Sequence, residues 1–140
     1  MFLCEIRRDG KKPSSDIRGI YSNDDLSHII REKKPSRIIL FRAGLIVRKD
    51  VIKTGINILN VHAAKVPDYG GIGSIDRALK DKAYEQNASL HVITTRIDEG
   101  EVIDKEFFSL NPAVSYLENE TIAYNAAILL LIRCIRRKLV

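Results

Sequence analysis

NVHAAKVPDYGG, residues 60–71, follows directly on an apolar run, GINIL at 55–59. In an extended strand alternate residues share a face, so Ile56, Ile58, Asn60 and His62 point the same way. The apolar pair anchors the strand, and the polar pair reaches its carboxyl end. Open α/β sheets form their ligand crevices just outside the carboxyl ends of strands. Gly70, Gly71 and Gly73 then let the backbone pass close to a bound molecule. The stretch reads as a buried strand that delivers an amide and an imidazole to a crevice.

The neighbouring segments extend this reading. RIILF (37–41) is a continuous apolar run, the mark of a strand covered on both faces. IRGIY (17–21) is a short strand candidate. Ser22 with Asp25 forms a capping box that opens a helix through Lys33, and Pro35 ends it. A short helix from about Arg48 to Lys53 is closed by Gly55. Downstream, Ser74 is expected to cap a helix over IDRALKDKA. This alternation implies a parallel α/β sheet with right-handed crossovers. SLHVITTRI (89–97) and EVIDKEFFSL (101–110) are separated only by DEG (98–100) and read as an antiparallel pair. A closing helix runs from Ser115 or Asn119 to about Lys138, with an apolar stripe of Ile122, Ala126, Leu129 and Leu130. Its basic end suits the negative pole of the helix.

The 140 residues fit one domain, and 45% hydrophobic content is enough for a real core. Net charge is +5, which permits anionic partners, but the cations are scattered or terminal and no aromatic residues interleave with them. A nucleic-acid surface is therefore not indicated. Cys4 and Cys134 stand at opposite ends without metal-ligand spacing, so they read as reduced structural thiols, and no metal site is expected. AAILLLI (126–132) is too short for a bilayer, which needs about 20 residues, and Met1 leads into no long apolar segment. These features point to a cytoplasmic chain with no membrane partner.

Asp98, in the DEG turn, can reach His62, orient its imidazole and favour its charged form. An Asn amide and a protonated His together stabilise a developing oxyanion. No nucleophile elbow is present and no Cys is aimed at a His, so direct transfer of an acyl group to an amine is the chemistry indicated. His91, inside a strand, reads as a structural histidine.

NVHAAKVPDYGG followed by SLHVITTRIDEGEVI resembles the signature of the formyltransferases that use 10-formyltetrahydrofolate. In that family an N-x-H ends a parallel strand, an L-P-x-Y-x-G loop follows, and a hairpin carries V-H…D-x-G-x-I-I. FRAGLIVRKDVI is similar to the family's folate-side loop. The resemblance implies a Rossmann-like formyltransferase fold with a C-terminal antiparallel hairpin and a closing helix. It implies 10-formyltetrahydrofolate as formyl donor. Asn60 would hold the formyl oxygen, and His62 would stabilise the tetrahedral oxyanion. Asp98 would position His62 and, through water, help remove the amine proton. Leu45, Ile46, Val47, Arg96 and Ile97 would line the pterin pocket, and Tyr69, Gly70 and Gly71 would form the substrate loop. The acceptor would be a small-molecule primary amine, phosphorylated or nucleotide-linked. The family's acceptors include an aminosugar nucleotide, glycinamide ribonucleotide and an aminoacyl-tRNA, and the H-A-A-x-x-P-x-Y-G-G loop leans slightly towards the first.

The resemblance starts near Ile17. The family's opening strand, loop, helix and strand have no counterpart, so the fold reads as truncated, with residues 1–16 a poorly ordered basic lead and 7–16 a mobile loop. An open sheet edge would follow, and with it self-association into a homo-oligomer. Lys65 stands where an apolar residue is common, and Gly70 where Arg is common. Two other activities remain open: an inactive remnant that binds folate or a partner, and a hydrolase that releases the formyl group to water.

Overall fold

The computed structural model describes residues 2–5 and 17–137. Six strands form one sheet in the order β2-β1-β3-β4-β5-β6. They are β1 (Phe2–Glu5), β2 (Ile17–Arg18), β3 (Arg37–Phe41), β4 (Asn57–His62), β5 (Glu85–Val92) and β6 (Val102–Ser109). The first four run parallel to one another, β5 pairs antiparallel with β4, and β6 pairs antiparallel with β5. Four helices cover the faces: α1 (Asn23–Lys33), α2 (Lys49–Ile52), α3 (Ser74–Lys80) and α4 (Tyr116–Arg136).

The period-2 alternation sorts the side chains into two cores. On one face Ile38, Leu40 and Ile58 pack against Leu26, Ile29 and Ile30 of α1 and Val51 of α2. On the other, Ile39, Phe41, Leu59, Val61 and Leu90 pack against Ala126, Ala127, Leu130 and Cys134 of α4. Full burial of each large aliphatic side chain stabilises the fold by about 1.5–3 kcal/mol. A smaller cluster of Ala64, Ile75, Ala78, Leu110 and Ala123 ties α3 to α4.

The helix ends follow their local sequence. Ser22 Oγ accepts from Asp25 N at 3.1 Å, while the Asp25 carboxylate accepts from Tyr21 N at 3.0 Å. Ser115 and Glu118 complete a reciprocal capping box, which fixes the start of α4. Pro35 stands one residue past Lys34, the left-handed cap of α1 (φ 43°). Among the described residues no helix is long and apolar enough to cross a membrane.

Four expectations are corrected. Phe2–Glu5 is not a lead without structure: it forms β1, paired with both β2 and β3, so a strand stands where an open edge was expected. Residues 7–16 lie outside the described residues. The cap of α3 is Gly73, in the left-handed conformation, and Ser74 is the first helical residue. β5 begins at Glu85 and ends at Val92, so β5 and β6 are joined by a loop over 93–101 and not by a three-residue turn. Finally, Leu129 is 57% exposed, and the buried stripe of α4 runs through Ala123, Ala126, Ala127, Leu130 and Leu131.

Candidate active site

β4 stays extended through His62, so Asn60 and His62 share a face at the carboxyl end of the parallel part of the sheet. β5 pairs with β4 so that His91 stands directly opposite Asn60. The loop over 93–101 then folds back across this end and carries Asp98, whose backbone is left-handed (φ 52°). Gly100 makes that path possible. A Cβ there would lie 1.7 Å from the Val92 carbonyl oxygen, so the loop can close on the end of β5 only with glycine at this position.

Asp98 is the hub of the site. Its Oδ2 accepts from Gly71 N at 2.7 Å and lies 3.7 Å from His62 Nδ1. Its Oδ1 lies 3.3 Å from His91 Nε2. The amide nitrogen of Asn60 is 3.3 Å from the same His91 nitrogen, and His91 Nδ1 faces the Val92 carbonyl at 3.1 Å. His62 Nε2 donates to the Tyr69 carbonyl at 2.9 Å, leaving Nδ1 on the Asp98 side. The three expected residues therefore do converge. The fully buried His91, expected to serve only the strand, lies against both Asn60 and Asp98 through the same ring nitrogen.

Burial would raise the Asp98 pKa, but hydrogen bonds from His91 and Gly71 and the field of His62 outweigh it and bring it down to about 2. His62 moves against expectation. Burial depresses its pKa, and the opposing pull of Asp98 and of the Tyr69 carbonyl does not restore it. The resting imidazole is thus held towards its neutral form.

A cavity of about 500 Å³ opens over this group. Leu45, Ile46, Val47, Ile93 and Ile97 line its apolar side, with Arg96 at the rim. Val47 is nearly buried in the core beside α1, while Ile46 (68%) and Ile97 (55%) are exposed to the cavity. Of the expected substrate loop, Gly71 lines the cavity. Tyr69 and Gly70 lie behind it. The Tyr69 hydroxyl turns to Asp81 at 3.3 Å, and Gly70 backs Asp98, whose Cβ would sit 2.9 Å from any Cβ at position 70. Arg77 holds the loop in place by donating to the carbonyls of Gly70 and Ile72. Among the other lining residues are four polar ones that sequence reading did not single out for the site: Arg42 after β3, and Tyr116, Glu120 and Tyr124 along α4.

The Formyl transferase family pattern matches residues 15–123, and the chain belongs to that family. Methionyl-tRNA formyltransferase of Syntrophomonas wolfei is 26% identical over 109 residues, covering 77% of this chain and 35% of that protein. The chain thus spans about a third of the length of the curated relatives it matches. Among solved structures, phosphoribosylglycinamide formyltransferase from Streptococcus pneumoniae superposes with a TM-score of 0.78 at 13% identity, over 99% of this chain and 98% of that one. A 4-N formyltransferase from Francisella tularensis superposes with a TM-score of 0.74 at 18% identity, over 89% and 50%. At these identities the likeness establishes the shared Rossmann-like fold.

Proposed function

We propose that the chain transfers a formyl group from 10-formyltetrahydrofolate to a primary amine, an aminosugar nucleotide being the acceptor favoured by the loop sequence. The observation that carries this reading is the convergence of Asn60, His62 and Asp98 in the lining of one cavity, together with apolar and polar residues. The apolar side fits the donor: Leu45, Ile46, Val47 and Ile97 offer flat aliphatic contact, and Arg96 at the rim suits the donor's carboxylates. The donor supplies an activated formyl carbonyl. Asn60 directs an amide donor at its oxygen.

His62 is poised to accept the amine proton at Nδ1, because burial keeps the ring neutral and Nε2–H is already committed to Tyr69. As the amine nitrogen bonds to the formyl carbon, the imidazolium forms beside the Asp98 carboxylate while negative charge appears on the formyl oxygen. Such an interaction exists only along the reaction path, and so it lowers the barrier without tightening the ground state. Collapse of the adduct breaks the carbon's bond to the donor's folate nitrogen, to which the imidazolium returns the proton. Asp98 is the positioning and charge-balancing group.

The test starts with the donor, which needs no knowledge of the acceptor. Calorimetric titration with 5-formyltetrahydrofolate is expected to show saturable binding. Ile46→Asp with Ile97→Asp should weaken it at least tenfold, on the order of 1.4 kcal/mol or more. Both positions are exposed, so the double variant should stay folded. His62→Ala should bind folate normally and lose transfer. Absence of binding by the folded wild-type chain would count for a remnant that has lost its donor site. Formate release with no amine present would instead mark a hydrolase.

A further inference from the structure

We propose that Arg42, stacked on Tyr124 in the cavity that Glu120 also lines, selects an acceptor amine that carries an oxyanion group, a phosphate or a carboxylate, close to the amine. This deepens the formyl-transfer reading and rests on it. Phe41 pairs with Val61, so Arg42, the next residue, leaves the sheet level with His62. Its backbone takes a left-handed conformation, φ 55°, which a long side chain seldom adopts without a local constraint.

That conformation sets the guanidinium 4.2 Å from the centre of the Tyr124 ring. Stacking occupies the face of the guanidinium and leaves its in-plane N–H donors open. Among the described residues 19–137 no carboxylate lies within ion-pairing distance of it, whereas Arg48 and Arg133 each hold two. A guanidinium fork stacked at the wall of a cavity matches two oxygens of a phosphate or carboxylate.

Tyr116, Glu120 and Tyr124 are spaced four residues apart and so stand on one face of α4. The Tyr116 hydroxyl donates to Glu120 at 3.2 Å, which orients the carboxylate and leaves acceptor capacity for hydroxyl or amine hydrogens. The same cavity holds Asn60 and His62. The apolar residues and this polar group therefore line the same cavity as the candidate catalytic group. An acceptor with its anion on Arg42 and its hydroxyls at Glu120 would present its amine between them.

The experiment is an NMR titration of the ¹⁵N-labelled full chain with glucosamine 6-phosphate, glucosaminic acid, glucosamine and inorganic phosphate, against sodium chloride at equal ionic strength. The Arg42 Nε–H and the Ala43 and Gly44 amides report the site. At least one of the two charged amines is expected to bind about tenfold or more tightly than glucosamine, and whichever binds tighter identifies phosphate or carboxylate as the anion. Arg42→Gln should abolish the preference, and Tyr124→Leu should weaken it. Tyr124→Phe, which keeps the ring, should retain it and controls for folding. Equal affinity for all three amines, absence of saturable shifts, a preference that survives Arg42→Gln, or the same shifts from sodium chloride overturns the proposal. Titration of the same samples with 5-formyltetrahydrofolate separates the two readings. Folate binding without an anion preference removes the Arg42 assignment alone, and an anion preference without folate binding removes the donor reading alone.

Discussion

Asp98→Asn is expected to lower the rate of formyl transfer about 10³-fold at pH 7 and to cost the fold about 2 kcal/mol. Both effects come from one carboxylate. Oδ2 accepts from Gly71 N and faces His62, and Oδ1 faces His91. An Asn amide keeps one acceptor but turns its donor either towards the His91 ring or, flipped, towards the Gly71 N–H and the His62 ring. Catalysis suffers more than stability, because the imidazolium formed during transfer loses its counter-charge. The pH dependence gives the sharper test. The Asp98 pKa is about 2 in the fold against an ordinary 3.8. Its contribution is therefore complete above about pH 4 and is lost as pH falls towards 2, and after discounting for solvent screening it amounts to about 1–2 kcal/mol. His62 is depressed below its ordinary 6.5, so its protonation opposes folding, and stability also declines as pH falls below 6.5. The variant should keep the His62 part of this acid loss and lack the Asp98 part. In kinetics, kcat/KM of the wild type should fall on the acid side with an apparent pKa below 6.5. That limb should move lower still in Asp98→Asn, because a group that raises the His62 pKa has gone. An acid limb unmoved, or moved to higher pH, would exclude His62 as the proton acceptor.

Much of this site is written in local sequence. Asn60 and His62 were legible because strand periodicity and the following glycines lie within one short stretch. β3 was legible because a strand covered on both faces carries a continuous apolar run. The rest depends on contacts distant along the chain. Phe2–Glu5 has no alternation or cap to mark it, and its place between β2 and β3 is set by pairing with Ile38–Phe41. His91 enters the site only through the register that sets it opposite Asn60, and that register follows from the path of 63–84, which no local pattern dictates. The apolar residues Ile93 and Ile97 imitate a continuing strand, although they line a cavity wall. Arg42 and Tyr124 meet only once α4 has packed across the sheet. The charge state expected for His62 was wrong for a similar reason: the partner Asp98 could be anticipated, but the burial that outweighs it is a tertiary property.

Gly100→Ala carries that argument to the residue that places Asp98. An added Cβ would lie 1.7 Å from the Val92 oxygen and 2.8 Å from the Val92 carbon. Both are backbone atoms at the end of β5, where Val92 N also donates to the Glu101 carbonyl at 2.9 Å. No rotamer change can relieve the contact, so the loop must lift away from the strand. Overpacking of this kind costs about 3 kcal/mol, which lowers Tm by roughly 10 °C in a chain of this size. Gly44→Ala is the matched control. Its Cβ would meet nothing within 4 Å, and its stability should change by no more than about 0.5 kcal/mol. A Gly100→Ala melt indistinguishable from that of Gly44→Ala would show that the loop closes differently. Lifting the loop also draws Asp98 away from Gly71 and His62, so transfer should fall almost as far as in Asp98→Asn. If Gly100 acts on the chemistry only through Asp98, the double variant should be no slower than Asp98→Asn alone, and its stability loss should fall short of the sum of the two, because both substitutions remove the same Asp98 contacts. Rate losses that multiply would instead mean that the loop over 93–101 contributes to catalysis through a second group, of which the donor-side Arg96 and Ile97 are the nearest candidates.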